Sequence, residues 1–350
     1  MKTSKISLSI NDKIGLFGNL ATMLAAGISI LEVVDSLLED VKGGQKKILE
    51  RLRADITQGK PIHESFSYFP NSFDRVTINI IKAAEQAGTL DTTLKDLKKH
   101  IQQEHEFIDK VKSALTYPVV IFVVFIGVML MILIVVIPKI AVVFTRLHVE
   151  LPLPTRILIF VSDLLIKNTF LFIAGIVAFV AIIFFIYKNN RKLLLNSIFS
   201  LPLVSQLVRE IDLTRFTRSF ALLLTSSIPI ISALELTQDV VVQRDLAHVI
   251  QQTKDMVLSG KKISDGLKLA KGKIPSIMIK IIEAGEKTGS LDKSMQEISE
   301  HLDYQVSNTL RTLTALLEPV MLVLVGVLIG GMMLAIIAPI YGLVGQVGAR

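Results

Sequence analysis

Three stretches of this chain carry no charged side chain: Val119–Ile137, Phe170–Tyr187 and Val320–Ile337. Each holds about eighteen or nineteen residues, close to the ~20 that an α-helix needs to cross the hydrocarbon of a bilayer. Inside lipid the backbone has no water to bond, so such a stretch must satisfy its own N–H and C=O groups, as a helix does. The remainder is rich in both acids and bases. Over 350 residues the mean hydropathy is +0.56 although 20% of the residues are charged, which divides the chain between lipid and water.

The second constraint is a repeat. Ala83–Asp91 reads A-A-E-Q-A-G-T-L-D and Ala284–Asp292 reads A-G-E-K-T-G-S-L-D. From Ile81 to Asp91, six of eleven pairs are identical at an offset of 201. Upstream, Leu16, Leu20, Met23, Leu24 and Ile28 are answered by Phe216, Phe220, Leu223, Leu224 and Ile228 at an offset of 200. Downstream, Pro118 and Pro138 are answered by Pro319 and Pro339. A register held over about a hundred residues marks an internal duplication.

Each copy reads as helices. Asn11–Ile28 has the i, i+4, i+7, i+8 spacing of an amphipathic helix, with Gly27 as its stop. Further helices are expected over about 29–41, 45–58, a short one after Pro61, one from an N-cap at Ser72 to Gln86, and a sixth capped by Thr89. Asp91 sits in that last helix's first turn, facing the positive end of its dipole. Gly88 and Gly289 read as helix stops at a tight hairpin, and Leu90 and Leu291 follow them. No strand-like alternation is visible. The expectation is an all-α membrane protein with two duplicated cytoplasmic bundles of about six helices each and three transmembrane helices.

Two bundles of one plan belong on one side of the membrane, so an odd extra crossing must separate them. The run 170–187 supplies it. The expected order is a bundle over 1–117, a span over 118–138 bracketed by Pro118 and Pro138, and a short outer loop with a lead-in helix over 139–169. A span over 170–187, a second bundle over 188–318, a span over 319–341 and an outer tail over 342–350 complete it. Lys and Arg number 16 in the first bundle, 4 in the loop, 17 in the second bundle and 1 beyond it. With Lys110 and Lys112 before span one and Lys188, Arg191 and Lys192 after span two, the bias places both bundles and the N-terminus in the cytoplasm and the C-terminus outside.

Several chemistries are disfavoured. No Cys is present, which excludes disulfides and thiol catalysis. Gly59-Lys60, Gly260-Lys261 and Gly272-Lys273 lack the rest of a phosphate-binding loop. The net charge of +7 is interleaved with acids and carries no basic run with aromatics, so nucleic-acid binding is not expected. His100, Glu104 and His105 do not share one helix face and read as a solvated surface rather than a metal site. The runs contain no ionisable group of the kind that marks ion or proton paths. Gly326 and Gly330 in the third run permit close helix approach. Glu85 and Glu286 read either as solvated or Lys-paired glutamates at a helix end, or as contacts for a partner or an intersubunit divalent ion. Asp91 and Asp292 join them as partner candidates. No catalytic residue and no cofactor is expected.

At these residues the chain resembles the type II secretion F / PilC family. The family's A-G-E-x-x-G-x-L pattern is complete in Ala284, Gly285, Glu286, Gly289 and Leu291, while the first copy has Ala84 for the first glycine. Its F-T-R opening is Phe216-Thr217-Arg218, its L-P-L-P-T-R loop is Leu151–Arg156, and its entry to the last span is Glu318-Pro319. Ser227 stands where glycine is usual, so the second opening turn is expected to differ from the first. The long N-terminal extension of many members is lacking, which leaves the docking of an ATPase open.

The resemblance implies a non-enzymatic platform in the bacterial inner membrane. It would couple a hexameric assembly ATPase to insertion of pilin or pseudopilin helices into a filament. Other inner-membrane assembly proteins would be neighbours, and a homo-oligomer would widen the three-span footprint. A permease driven by a separate ATPase and a static scaffold are the alternatives from other classes.

Overall fold

The computed structural model describes residues 6–146, 153–168, 202–270 and 272–347. Among them every regular element is helical. The expected span over 170–187, the basic residues after it and the tail from Gly348 lie outside the described residues. The chain divides into two compact units, Met1–Lys110 with Gln206–Asn308, and Val111–Ser205 with Thr309–Arg350.

In the first unit, α1 (Ile10–Ala25) opens on a reciprocal cap: Ser9 Oγ accepts from Asp12 N and the Asp12 carboxylate accepts from Ser9 N. Two orphan N–H groups are thereby satisfied. α2 (Ile30–Asp40), α3 (Gly43–Thr57) and the short α4 (Ile62–Ser67) follow, then α5 (Arg75–Ala87) and α6 (Leu90–Met131). The cap of α5 is Asp74, whose carboxylate takes Thr77 N at 2.7 Å, rather than Ser72. Ser72 is used elsewhere. Its hydroxyl donates to Ile6 O and accepts from Leu8 N, pinning the incoming chain. A carboxylate at the cap also meets the helix dipole, which a hydroxyl does not.

The second half of the unit repeats the order with α9 (Pro202–Thr225), α10 (Ile230–Gln238), α11 (Arg244–Leu258), α12 (Ile263–Leu267), α13 (Ser276–Thr288) and α14 (Leu291–Val347). The turns after its first and third helices match those of the first half. Ile28 N bonds Met23 O at 3.1 Å and Ile228 N bonds Leu223 O at 3.0 Å. Lys60 N bonds Asp55 O at 2.9 Å and Lys261 N bonds Met256 O at 3.0 Å. Ser227 therefore does not change the turn. It adopts φ +59° where Gly27 has φ +81°, among the described residues the one non-glycine in that region. An L-residue there costs about 1 kcal/mol, which the closing hydrogen bonds and burial of Ile228 offset.

Leu16, Phe17, Leu20, Phe66 and Phe73 from the first half and Phe216, Phe220, Leu223, Ile250 and Ile282 from the second belong to one continuous core. Phe17, Phe66 and Phe73 pack as a tilted trio with centroids 4.7 to 6.0 Å apart. Fully burying such a side chain contributes about 1.5–3 kcal/mol. The two halves of this unit thus share their apolar interior.

α6 runs unbroken through Pro118, and α14 through Pro319 and Pro339. The prolines that bracket the apolar runs in sequence are not helix ends. A proline removes one ladder bond locally, but apolar membrane-type helices tolerate it because the rest of the ladder persists. α6 and α14 are the two described helices long and apolar enough to cross a membrane.

In the second unit, α6 gives way to a π-helical turn (Ile132–Val136), then α7 (Ile137–Arg146). α8 (Leu153–Lys167) packs back on this bend through Leu165 against Leu133 and Ile137. The π turn has a local cause. Ile137 N bonds Ile132 O, five residues back, and Pro138 has no N–H to offer Leu133 O. That carbonyl is taken instead by the buried hydroxyl of Ser162 at 2.5 Å.

Candidate functional site

The repeated motif forms two equivalent junctions. α5 ends at Gly88 with φ +70°, and α13 ends at Gly289 with φ +71°. These left-handed positions turn the chain straight into α6 and α14, and glycine holds them without a Cβ penalty. Leu291 is buried and Leu90 packs against the same core. The glutamates point across the turn to another element. Glu85 accepts from Ile62 N at 2.6 Å and His63 N at 3.4 Å, and lies 2.7 Å from His63 Nδ1. Glu286 accepts from Ile263 N at 2.5 Å and Ser264 N at 3.2 Å. Each carboxylate thus caps the N-terminus of the short helix α4 or α12 from 22 or 23 residues away. Neither α4 nor α12 has a cap from its own preceding side chain, which explains why a distant acid is needed.

Glu286 and Asp292 line one cleft of about 460 Å³, with Lys261 and Lys262 at its edge and Ile230 and Val257 in its wall. Asp91 and Asp292 stand in the first turns of α6 and α14, as their spacing predicts. Among the described residues no group of three His, Asp or Glu side chains is placed to hold a metal ion. A Cβ built on Gly326 or Gly330 meets nothing within 4 Å, so the small-residue face in α14 is open.

An ion-pair cluster centred on a buried arginine lies between the halves of the first unit. Arg218 on α9 has a side chain only 6% exposed. Its guanidinium reaches Glu104 on α6 at 3.4 Å and Asp303 on α14 at 3.3 Å, and stands over the Phe107 ring at 5.3 Å. Arg215 gives Glu104 a second cation at 3.0 Å. A planar fork with an aromatic face suits arginine and not lysine. By contrast, Arg75–Asp239, also between the halves, is more than half exposed on both sides and contributes little. One turn before Arg215, buried Asp212 takes Val242 N and Gln243 N, capping the start of α11. Burial pushes its carboxyl above the ordinary value despite these two donors.

A family profile described as Type II secretion system (T2SS), protein F matches residues 16–138 and again 216–339. Together these segments make up more than half of the chain. It belongs to this family. Curated relatives agree. "Type IV pilus assembly protein PilC" of Thermus thermophilus is 30% identical over 95% of this chain and 82% of its own length. The protein of that name from Myxococcus xanthus is 29% identical over 93% and 79%. "Type II secretion system protein F" of Pseudomonas aeruginosa is 28% identical over 97% and 85%.

Within this protein F family member, the sequence pointed to the junction glutamates but not to their partners. It showed Arg218 only as part of Phe216-Thr217-Arg218. The missed signal was the pair Arg215 and Arg218, two cations one helical turn apart in a helix otherwise rich in core-type apolar residues. The His100 and Glu104 pair, read as a solvated surface, lies instead against the second half, where Glu104 meets Arg215 and Arg218.

His100 lies well before the apolar run that begins at Val119. Burial first, and then the charge of Arg218, lower its pKa from 6.5 to about 4. The sign follows from linkage: between those values the unfolded chain takes up a proton that the folded chain refuses, so stability falls as pH falls through this window. We expect the melting temperature to drop from pH 6.5 to 4 and the drop to shrink in His100→Gln. Equal slopes in thermal scans of both proteins would remove His100 from the account.

Proposed function

We propose that the chain is an inner-membrane platform protein of a type IV pilus or type II secretion machine. The observation that carries this is the double family match, whose two segments begin at Leu16 and Phe216 and end at Pro138 and Pro339. In this reading both bundles face the cytoplasm and three spans cross the membrane, the second being 170–187. The bundles meet a hexameric assembly ATPase, and the spans meet pilin or pseudopilin helices. Glu85, Asp91, Glu286 and Asp292 lie at the junctions leading into α6 and α14, and are the candidate partner contacts.

The proposed work is mechanical, not catalytic. Motion of the motor displaces the bundles, and α6 and α14 carry it toward the apolar segments. Because one arginine holds both helices, the two are moved together. The absence of a phosphate-binding loop and of charged groups in the runs supports this division of labour.

Deleting the gene abolishes surface or pseudopilus fibres while the partner ATPase still hydrolyses ATP. Wild-type fibres in the deletion strain end the proposal. For the topology, a cysteine at Gly348 reacts with an impermeant thiol reagent in intact spheroplasts; reaction only after permeabilisation reverses it.

A further inference from the structure

We propose that α8 is a membrane-interface helix whose outer face lies in the acyl layer beside the bend of the first apolar segment. α8 has three distinct faces. Leu165, Ser162 and Thr155 are buried. On the opposite side, Ile157, Phe160 and Leu164 are 60%, 69% and 52% exposed, with Val161 beside them. Between the two runs a narrow line of Arg156, Asp163 and Lys167, the last two ion-paired at 3.1 Å. Their spacing of seven and then four residues keeps the line on one edge of the helix.

Water does not suit this arrangement. Four large apolar side chains on one short helix form a patch of the kind soluble surfaces avoid. A full crossing does not suit it either. Fifteen residues span about 22 Å, short of the ~30 Å hydrocarbon core. A helix lying in the interface, with its charged edge to water and apolar face sunk about 5–10 Å, fits both limits.

The neighbours of α8 set the depth. The Ser162 hydroxyl donates to Leu133 O, and Leu165 packs on Leu133 and Ile137. Leu133 lies in the last turns of the uncharged run, about 9 Å of helix rise before the exposed Lys139. The adjoining Met131, Ile134 and Val135 are themselves exposed, on a helix apolar enough to cross a membrane. Whatever covers them also covers the outer face of α8, and for a run of that composition the cover is lipid. The Pro138 bend thus has a second consequence: the carbonyl it orphans is the anchor that holds α8 at the membrane surface.

The chain contains no cysteine, so single-cysteine variants of the full-length protein report without background. Ile157→Cys, Phe160→Cys and Leu164→Cys sample the apolar face, and Asp163→Cys and Lys167→Cys the charged edge. The proteins are reconstituted in phosphatidylethanolamine–phosphatidylglycerol vesicles opened on both sides to reagent. We expect the apolar-face thiols to react with aqueous maleimide at least about tenfold more slowly than the edge thiols, since apolar surroundings lower the thiolate fraction. A bimane attached to the apolar face should be quenched by doxyl-labelled lipid and not by aqueous iodide. Fast aqueous reaction without lipid quenching at all three positions overturns the proposal. So does oxidative crosslinking through Phe160→Cys, which would assign the face to a second copy. Three positions share the face, so the result does not hang on one variant.

Discussion

Replacing Arg218 by methionine should destabilise the protein by about 2–4 kcal/mol. Removing one partner of a buried ion pair typically costs about 3–5 kcal/mol, because the other charge is left in a poorly solvated place. The lower figure applies here because Glu104 and Asp303 keep about a quarter of their surface wet, at 28% and 26%. Arg215 also continues to serve Glu104, and Asp303 loses its only charge partner among the described residues. Circular dichroism melts of the purified full-length protein in detergent measure the loss. Adding Asp303→Asn to Arg218→Met should recover part of it, since the stranded charge is then gone. Arg218→Lys should fall between, keeping the charge but losing the fork and the stacked face over Phe107. An Arg218→Met protein that melts with wild type would show that the three helices are held by packing alone.

The second large effect comes from a single methyl group. A Cβ on Gly266 would sit 2.6 Å from Thr253 Oγ1 and 2.7 Å from both Cα and Cγ2 of Thr253. A side chain can rotate away, but Cα belongs to the backbone of α11, so α11 and α12 must part. Gly266→Ala should therefore cost about 1–3 kcal/mol, the range for overpacking a well-filled interior. Adding Thr253→Ala removes the Oγ1 and Cγ2 contacts and leaves the one to Cα, so rescue is incomplete. Complete rescue, or no loss in the single variant, would contradict the close approach. The first half shows the alternative. Ser65 occupies the position equivalent to Gly266, and Leu52 the one equivalent to Thr253. There the Ser65 hydroxyl donates to buried Asp55 at 2.9 Å, alongside Arg51 and Lys60. In the second half Met256 stands in Asp55's register position. One half closes this helix pair with a polar cluster and the other with bare backbone contact.

That divergence shows how far a repeat carries. The offset placed the turn at Ser227 opposite that at Gly27, but the expectation that serine would change it was wrong, because the closing hydrogen bonds hold the turn against a modest strain. It could not report which interior solution each half had taken. Ser72 shows the same limit. It has the residue type of a helix cap, yet a better-placed acid two residues later takes the cap and leaves Ser72 to bind the incoming strand of chain.

Helix type and the apolar runs were legible because they rest on periodicity and composition, which are properties of neighbouring residues. Pro118 and Pro319 lie within helices rather than at their ends: a proline's local penalty is real, but a long helix absorbs it. The junction glutamates were legible as special and not as caps. Their acceptor role spans 22 and 23 residues, and only the packing of α5 on α4, and of α13 on α12, brings the orphan N–H groups to them. Arg218 and Glu104 lie 114 positions apart and meet only because two repeated halves share one core. The sequence alone determined a helical chain with an internal repeat and helices apolar enough to cross a membrane, since hydrophobic spacing and capping act within a turn or two. Only the tertiary structure decided which charges are buried together and which carbonyl a distant serine must satisfy, because those contacts exist only once the helices have packed.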